Sequence, residues 1–327
     1  MNTSKRNWKS PLILLLTAAI WGVAFVAQSV GMDYVKPFTF NGVRSLLGAV
    51  VLLPVIYIMQ QRKNVVCREV LSEKAVKTEL SDGVANIGES SERTDRNPRI
   101  LWIGGISCGL CLCVASSLQQ IGIQYTTAGK AGFLTAMYIV IVPILGLFLG
   151  KKCSPFVGLS IVLATIGLYL LSIKEGFTIG TGDIYVILCA VVFSLHILVI
   201  DYFAPKCDGV KLSCIQFFVC GIISTIIAFV FEKPEVSQIF SAWLPIAYAG
   251  IMSCGVAYTL QIIGQKGMNP TVASLLLSLE SVISVLAGWV LLKQALSVRE
   301  LIGCVIMFAA IILAQLPEKA EKIVTSQ

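Results

Sequence analysis

Apolar stretches of about 20 residues recur along the whole chain, broken by short clusters of Lys, Asp, Gly and Pro. At about 1.5 Å per residue a helix of that length crosses the roughly 30 Å hydrocarbon layer of a bilayer, so each stretch reads as a membrane-spanning helix. Ten spans are expected: Pro11 to Met32, Pro37 to Tyr57, Ile100 to Ile121, Thr127 to Leu149, Pro155 to Ile173, Asp183 to Phe203, Leu212 to Phe231, Trp243 to Ile263, Pro270 to Leu292 and Val298 to Leu316. Several open on Pro, whose missing N–H costs nothing in a first helical turn.

Composition agrees with the pattern. Of 327 residues, 56% are hydrophobic and 13% charged, with a mean hydropathy of +0.85, whereas soluble domains carry about a quarter charged residues. Disorder, a disulfide scaffold and a nucleic-acid-binding module are thereby excluded, and the lipid bilayer is the expected surrounding. The net charge of +7 is read as topology. With the N-terminus cytoplasmic, 18 of the 25 basic residues fall in inside loops and 6 outside, Arg44 alone lying within a span; without the eight in the long second connection the ratio is 10 to 6. Both termini are therefore expected in the cytoplasm. The first stretch is too long for a cleavable signal. None of the 11 Cys falls in an outside loop, so no disulfide is expected.

The chain also repeats itself. Ala131 to Leu149 lies on Ser274 to Leu292 at a constant offset of 143 residues, while Trp21-Gly22 lies on Phe193-Ser194, and Arg44 on Gln216, at an offset of 172. Five spans per copy force the second to sit upside down, an arrangement characteristic of secondary transporters. The expected organisation is a five-helix repeat over 1–175, with a cytoplasmic insertion at 60–99, and an inverted five-helix repeat over 176–327. In the insertion, Val65, Val66, Val70 and Leu71 among charged neighbours suggest an interfacial amphipathic turn, followed by a segment composed like disorder.

WGVAFVAQS with the downstream PFTFNGVR, IQYTTAGKAGFLTAMY, GDIYVILCAVVFSLHILV and PTVASLLLSLESVISVLAGWVLLKQALSVRELIG together resemble the drug/metabolite transporter superfamily, EamA branch, over roughly Trp8 to Leu316. The resemblance implies an all-α membrane protein of ten helices in two inverted halves around a central cavity. It also implies transport, often export, of small polar metabolites such as amino acids. One departure is in the ninth span, where the family usually reads Leu-Glu-Pro and this chain reads Leu279-Glu280-Ser281. A proline kink is therefore not expected there.

Glu280 is the one acid deep within a span and Arg44 the one base, about 18 Å and about 10 Å below the outer surface by helical rise. Ionisable groups in hydrocarbon are costly and normally face a bundle interior or a wet cavity, so Glu280 is expected either protonated or paired, with Arg44 as the partner in reach; the two read either as cavity charges that bind substrate or gate, or as a structural buried pair. His196, the lone His, lies level with Glu280; it reads either as a proton relay or as a structural donor. Trp21 lies at mid-depth, where it is a candidate to line a cavity and stack on a substrate, whereas Trp8, Trp102 and Trp243 lie at span ends, where aromatic belts are expected. Asn41, Gln120, Tyr125, Tyr138, Gln216, Tyr258 and Gln261 are the other large polar side chains in or near spans; most are expected to point inward, either to a cavity or to hydrogen bonds between helices. The substrate-cavity candidates are Trp21, Asn41, Arg44, Tyr138, His196, Gln216, Tyr258 and Glu280. Cys108, Cys111 and Cys113 share one helix but not one face, so they read as packing and no metal is expected.

No nucleotide-binding, nucleophile or metalloprotease motif is present, so no catalytic residue and no cofactor are expected. The sequence reads as a secondary transporter of a prokaryotic plasma membrane, with a small-molecule substrate and proton coupling as an option. The oligomeric state is not read from the sequence, and a monomer is compatible with it. A polytopic receptor or an intramembrane enzyme is the alternative, and an enzyme needs convergent groups at one depth, for which only His196 with Glu280 come near.

Overall fold

The computed structural model describes residues 9–78, 98–126, 128–151, 154–172, 180–292 and 297–314. Among them every regular element is a helix. α1 (Lys9–Gly31) turns into α2 (Pro37–Thr78), and α3 (Pro98–Ile123) follows. α4 (Ala128–Ala136) and α5 (Tyr138–Phe148) make one interrupted rod, and α6 (Pro155–Ser172), α7 (Thr181–Phe203) and α8 (Gly209–Phe231) come next. After a short α9 (Val236–Ser241), α10 (Trp243–Ala247) runs through a π-helical stretch, Tyr248–Ala257, into α11 (Tyr258–Gln265). α12 (Pro270–Leu277) and α13 (Leu279–Leu292) form a second interrupted rod before α14 (Val298–Ala314).

Eight of these segments, counting each rod once, are long and apolar enough to cross a membrane. α6 and α14 are shorter in the described residues, and their expected ends, Ile173 and Leu316, lie outside them. Side chains on the exterior are apolar: Phe229 is 67% exposed, Phe231 76% and Ile312 66%. Helices that satisfy their own backbone and turn such groups outward are matched to hydrocarbon, and the protein is a multi-pass membrane protein.

α2 departs from expectation. It does not end near Tyr57 but runs 42 residues to Thr78, because 58–78 holds neither Gly nor Pro and is rich in Gln, Lys, Arg and Glu. Its apolar part closes at Arg62, so the first half of the insertion is a continuation of the spanning helix. Residues 79–97 of the insertion, Trp8, Lys174 and Lys293 lie outside the described residues. The start of α2 is capped by another helix: Glu232, just past α8, accepts from Phe38 N (2.9 Å), Thr39 N (2.7 Å) and Thr39 Oγ1 (2.7 Å). A carboxylate there answers the orphan N–H groups and the positive end of the helix dipole.

The ninth span breaks without a proline. Ser278, between α12 and α13, has φ −61° and ψ −13°, and Ser281 N turns back to the Ser278 carbonyl (3.1 Å) in a tighter turn. Met137, between α4 and α5, has nearly the same backbone, φ −59° and ψ −12°.

α2 packs on α8, and α3 lies against both α7 and α8. α1 packs on α13, the π stretch and α11; α6 packs on α14, and the two interrupted rods pack on each other. Glycine sets the closest approach. A Cβ on Gly122 of α3 would lie 2.8 Å from the carbonyl oxygen of Gly182 on α7, and a Cβ on Gly182 would lie 2.8 Å from that of Gly122. Only two glycines allow that crossing.

Candidate functional site

The crossings of α1, α2, α3, the two interrupted rods, α7, and the π stretch with α11 leave a cavity inside the bundle. One wall is aromatic. Trp21 and Tyr258 lie with ring centroids 4.6 Å apart at 59°, and Tyr258 is edge-on to His196 (6.0 Å, 73°) and to Phe217 (5.3 Å, 80°). Trp21, Phe25 and Gln28 reach the cavity together, since steps of four and three residues share one face of α1.

Charge enters from two helices. Arg44 of α2, 5% exposed, donates through Nη1 to Gln28 Oε1 at 2.7 Å. Glu280 lies in the first turn of α13, 4% exposed, and accepts from Tyr138 Oη at 2.8 Å. Beside them, His196 Nε2 shares a 3.2 Å hydrogen bond with Gln216 Oε1, in which the ring N–H is the donor because a carbonyl oxygen only accepts.

Several buried polar atoms of the wall have no protein partner: Trp21 Nε1, Arg44 Nε, His196 Nδ1 and Gln261 Oε1. Each such group costs about 1–3 kcal/mol, a cost that a polar guest or water removes. Three donors or acceptors of different type, an arginine, a carboxyl group and a tilted aromatic pair give the cavity the means to hold a small polar molecule with an apolar part.

Six of the eight sequence candidates meet here: Trp21, Arg44, Tyr138, His196, Tyr258 and Glu280. Two do not line the cavity. Gln216 sits behind His196 as its partner, and Asn41 is fully buried elsewhere on α2 with both side-chain polar atoms unpartnered. The expected pairing of Arg44 with Glu280 is not formed, because Gln28 takes the guanidinium and Tyr138 takes the carboxyl. His196 likewise bonds Gln216 and not Glu280. Tyr125 is 65% exposed at the end of α3 and does not point inward. Trp102 and Trp243 are exposed at helix starts, as expected of belt residues. Gln28, Gln119, Thr135 and Ser253 were missed; for Gln28 the signal was its place seven residues after Trp21 in WGVAFVAQ.

An internal polar cavity in a bundle of apolar, membrane-crossing helices defines a transport-type membrane protein. The chain belongs to the EamA-like transporter family, whose pattern matches residues 8–73, 83–173 and 180–316, and it is a membrane transporter. It is 26% identical over 305 residues to a protein of Archaeoglobus fulgidus named an uncharacterized transporter, covering 93% of this chain and 84% of that one. It is 20% identical over 309 residues to the uncharacterized transporter YoaV of Bacillus subtilis, covering 93% and 95%. A solved crystal structure 19% identical in sequence superposes with a TM-score of 0.70 over 94% of this chain and 96% of that one, a likeness of fold alone.

Proposed function

We propose that the protein is a secondary transporter that exports small zwitterionic metabolites, amino acids or close relatives, by alternating access around the cavity. The observation that carries this reading is the joint presence in one cavity of Arg44, whose guanidinium has no carboxylate partner, and Glu280, held only by a tyrosine hydroxyl. A substrate carboxylate suits the Arg44 fork, a substrate ammonium suits Glu280, and an apolar side chain packs on Trp21 and Tyr258. Glu280 is also the group through which a proton gradient drives the cycle.

The reading takes the chain as ten spans in two inverted halves, both termini cytoplasmic, working as a monomer in a prokaryotic plasma membrane. The packing supports it. Exchanging each span with the one five places on turns the contact of α1 with the π stretch and α11 into that of α7 with α3, and maps α2 with α8, α6 with α14, and the two rods onto themselves. The two interruptions share one backbone geometry and lie 141 residues apart, 137 against 278, close to the 143-residue repeat. In such a fold the halves rock about a fixed central site.

A growth screen tests the substrate class. A strain that overproduces the protein is expected to tolerate toxic amino-acid analogues at higher concentration than a strain producing the Arg44→Gln variant. Equal tolerance across the whole analogue panel would count against zwitterion export.

A further inference from the structure

The positive group of the cavity is held in place from outside it. Arg44 lies in the second turn of α2 with its Cζ over the Phe40 ring, 5.4 Å from the centroid and one helical turn away, a distance at which the ring face attracts a guanidinium. Phe40 has no room to turn: it is 0% exposed, and a Cβ on Gly31 at the end of α1 would overlap its ring. The two residues before it are the ones that Glu232 binds. This one carboxylate, at the end of α8, accepts from Phe38 N at 2.9 Å through Oε1, and from Thr39 N and Thr39 Oγ1, both at 2.7 Å, through Oε2. A continuous line of contacts therefore runs from the end of α8, through the first turn of α2 and the Phe40 ring, to the guanidinium.

Further along the same crossing the two helices meet through glycine. A Cβ on Gly42 would lie 2.6 Å from Thr225 Oγ1, and one on Gly221 would lie 2.8 Å from Leu46 Cδ2. Small residues let helices approach closely, but they do not set how far one slides along the other. Three hydrogen bonds to one carboxylate at the end of the crossing do.

The matching positions of the repeat lack all three parts together. At the 172-residue offset that lays Arg44 on Gln216, Phe40 lies on Leu212, and Gln60 lies on Glu232. The start of α8 is capped by its own Asp208, whose Oδ1 accepts from Val210 N at 3.0 Å and Lys211 N at 3.3 Å, the positions that match Phe38 and Thr39. Any helix start gains from a cap, and a local one suffices for stability. The cap drawn from a distant helix occurs where the helix carries the arginine and its aromatic platform.

We propose that Glu232 is the positioning residue of the anion subsite: it fixes the height and rotation of α2, and with them the Arg44 fork on which the substrate carboxylate aligns. This rests on the reading above that Arg44 takes that carboxylate. Such recognition needs placement to within about 0.5 Å, and the clamp supplies it through α2. Glu232 itself does not line the cavity.

The test is equilibrium binding to the full chain in detergent. Radiolabelled leucine and phenylalanine are the zwitterionic probes, and 3-methylbutylamine and 2-phenylethylamine, the same molecules without the carboxylate, are the controls. Glu232→Ala removes the clamp; Glu232→Gln is the milder change and keeps one acceptor. Each variant is expected to weaken both amino acids by about fivefold and to leave the amines unchanged to within about twofold, because only the carboxylate contact is displaced. In an Arg44→Gln background the same substitutions are expected to add nothing, since they act through Arg44. Equal weakening of amino acids and amines, a full loss that persists in the Arg44→Gln background, or failure of both variants to fold makes Glu232 a structural cap and overturns the proposal. Unchanged amino-acid binding in both variants, with binding weakened by Arg44→Gln alone, overturns it too and leaves the zwitterion reading standing. No binding of either amino acid by the wild type, or binding that Arg44→Gln leaves untouched, removes the reading that the cavity takes a zwitterion with an apolar side chain, and the proposal with it.

Discussion

Tyr138 Oη donates to Glu280 Oε1 across 2.8 Å, and the two residues stand 142 positions apart at the starts of α5 and α13. Each begins the second half of an interrupted rod, so the break in one rod holds the carboxyl group of the other. Replacing Tyr138 by Phe removes that donor and leaves the carboxyl short of its one protein hydrogen bond in a site 4% exposed. Destabilisation of about 1–3 kcal/mol is expected, read as a lower unfolding temperature in detergent, together with reduced flux. A Phe variant of unchanged stability would show that the hydroxyl contributes nothing there.

Because Arg44 and Glu280 have separate partners, their substitutions are expected to act independently. Glu280→Gln keeps the volume and removes the charge. Adding Arg44→Gln should not rescue it, and the double variant's loss of stability should equal the sum of the single losses to within about 0.5 kcal/mol. Rescue by more than that would mean that the two charges stabilise each other directly.

Proton coupling is tested on the same residue. In vesicles carrying a pH gradient, wild-type flux is expected to follow the size of the gradient, and Glu280→Gln flux to be insensitive to it. A Gln variant that still follows the gradient would move the proton-carrying role away from Glu280.

The crossing of α3 on α7 predicts a contrast between two glycines. Gly122→Ala pushes a Cβ to 2.4 Å from Val186 and 2.8 Å from the Gly182 backbone, and overpacking of that kind costs about 1–3 kcal/mol. Gly129→Ala in the first turn of α4 meets nothing within 4 Å and is expected to be neutral or stabilising by up to about 1 kcal/mol. Thermal unfolding of the two variants side by side decides it.

Orientation is open to cysteine labelling. Tyr34→Cys and Glu235→Cys, at exposed turns after α1 and before α9, are expected to react from outside intact cells, and Lys206→Cys, in the exposed turn after α7, only after permeabilisation. The reverse pattern would show that the charge count had misled the topology.

Much of the fold was legible because bilayer physics leaves few options: long apolar stretches become helices, and their ends fall near Pro37, Pro98, Pro155 and Pro270. The polar continuation of α2 was not legible, since helix propensity carried it past the point where hydropathy ends. Nor was the break at Ser278, which no proline marks. In the site, depth along each helix put Trp21, Arg44, His196 and Glu280 in one cavity. Pairing could not be read the same way. Whether Arg44 reaches Glu280 or Gln28 depends on which way each helix faces, and hydrophobic periodicity is weak where a helix meets lipid on one side and apolar neighbours on the other.

The central claim is that the cavity carries a small zwitterion across the membrane unchanged. Purified protein in proteoliposomes, offered a panel of radiolabelled amino acids with and without a proton gradient, tests it most directly. The account predicts accumulation of at least one amino acid, recovered chemically intact, with flux reduced at least about tenfold by Arg44→Gln, a loss on the scale of one charge-assisted hydrogen bond. Recovery of a chemically altered product without net flux, or flux that Arg44→Gln leaves untouched, would contradict it.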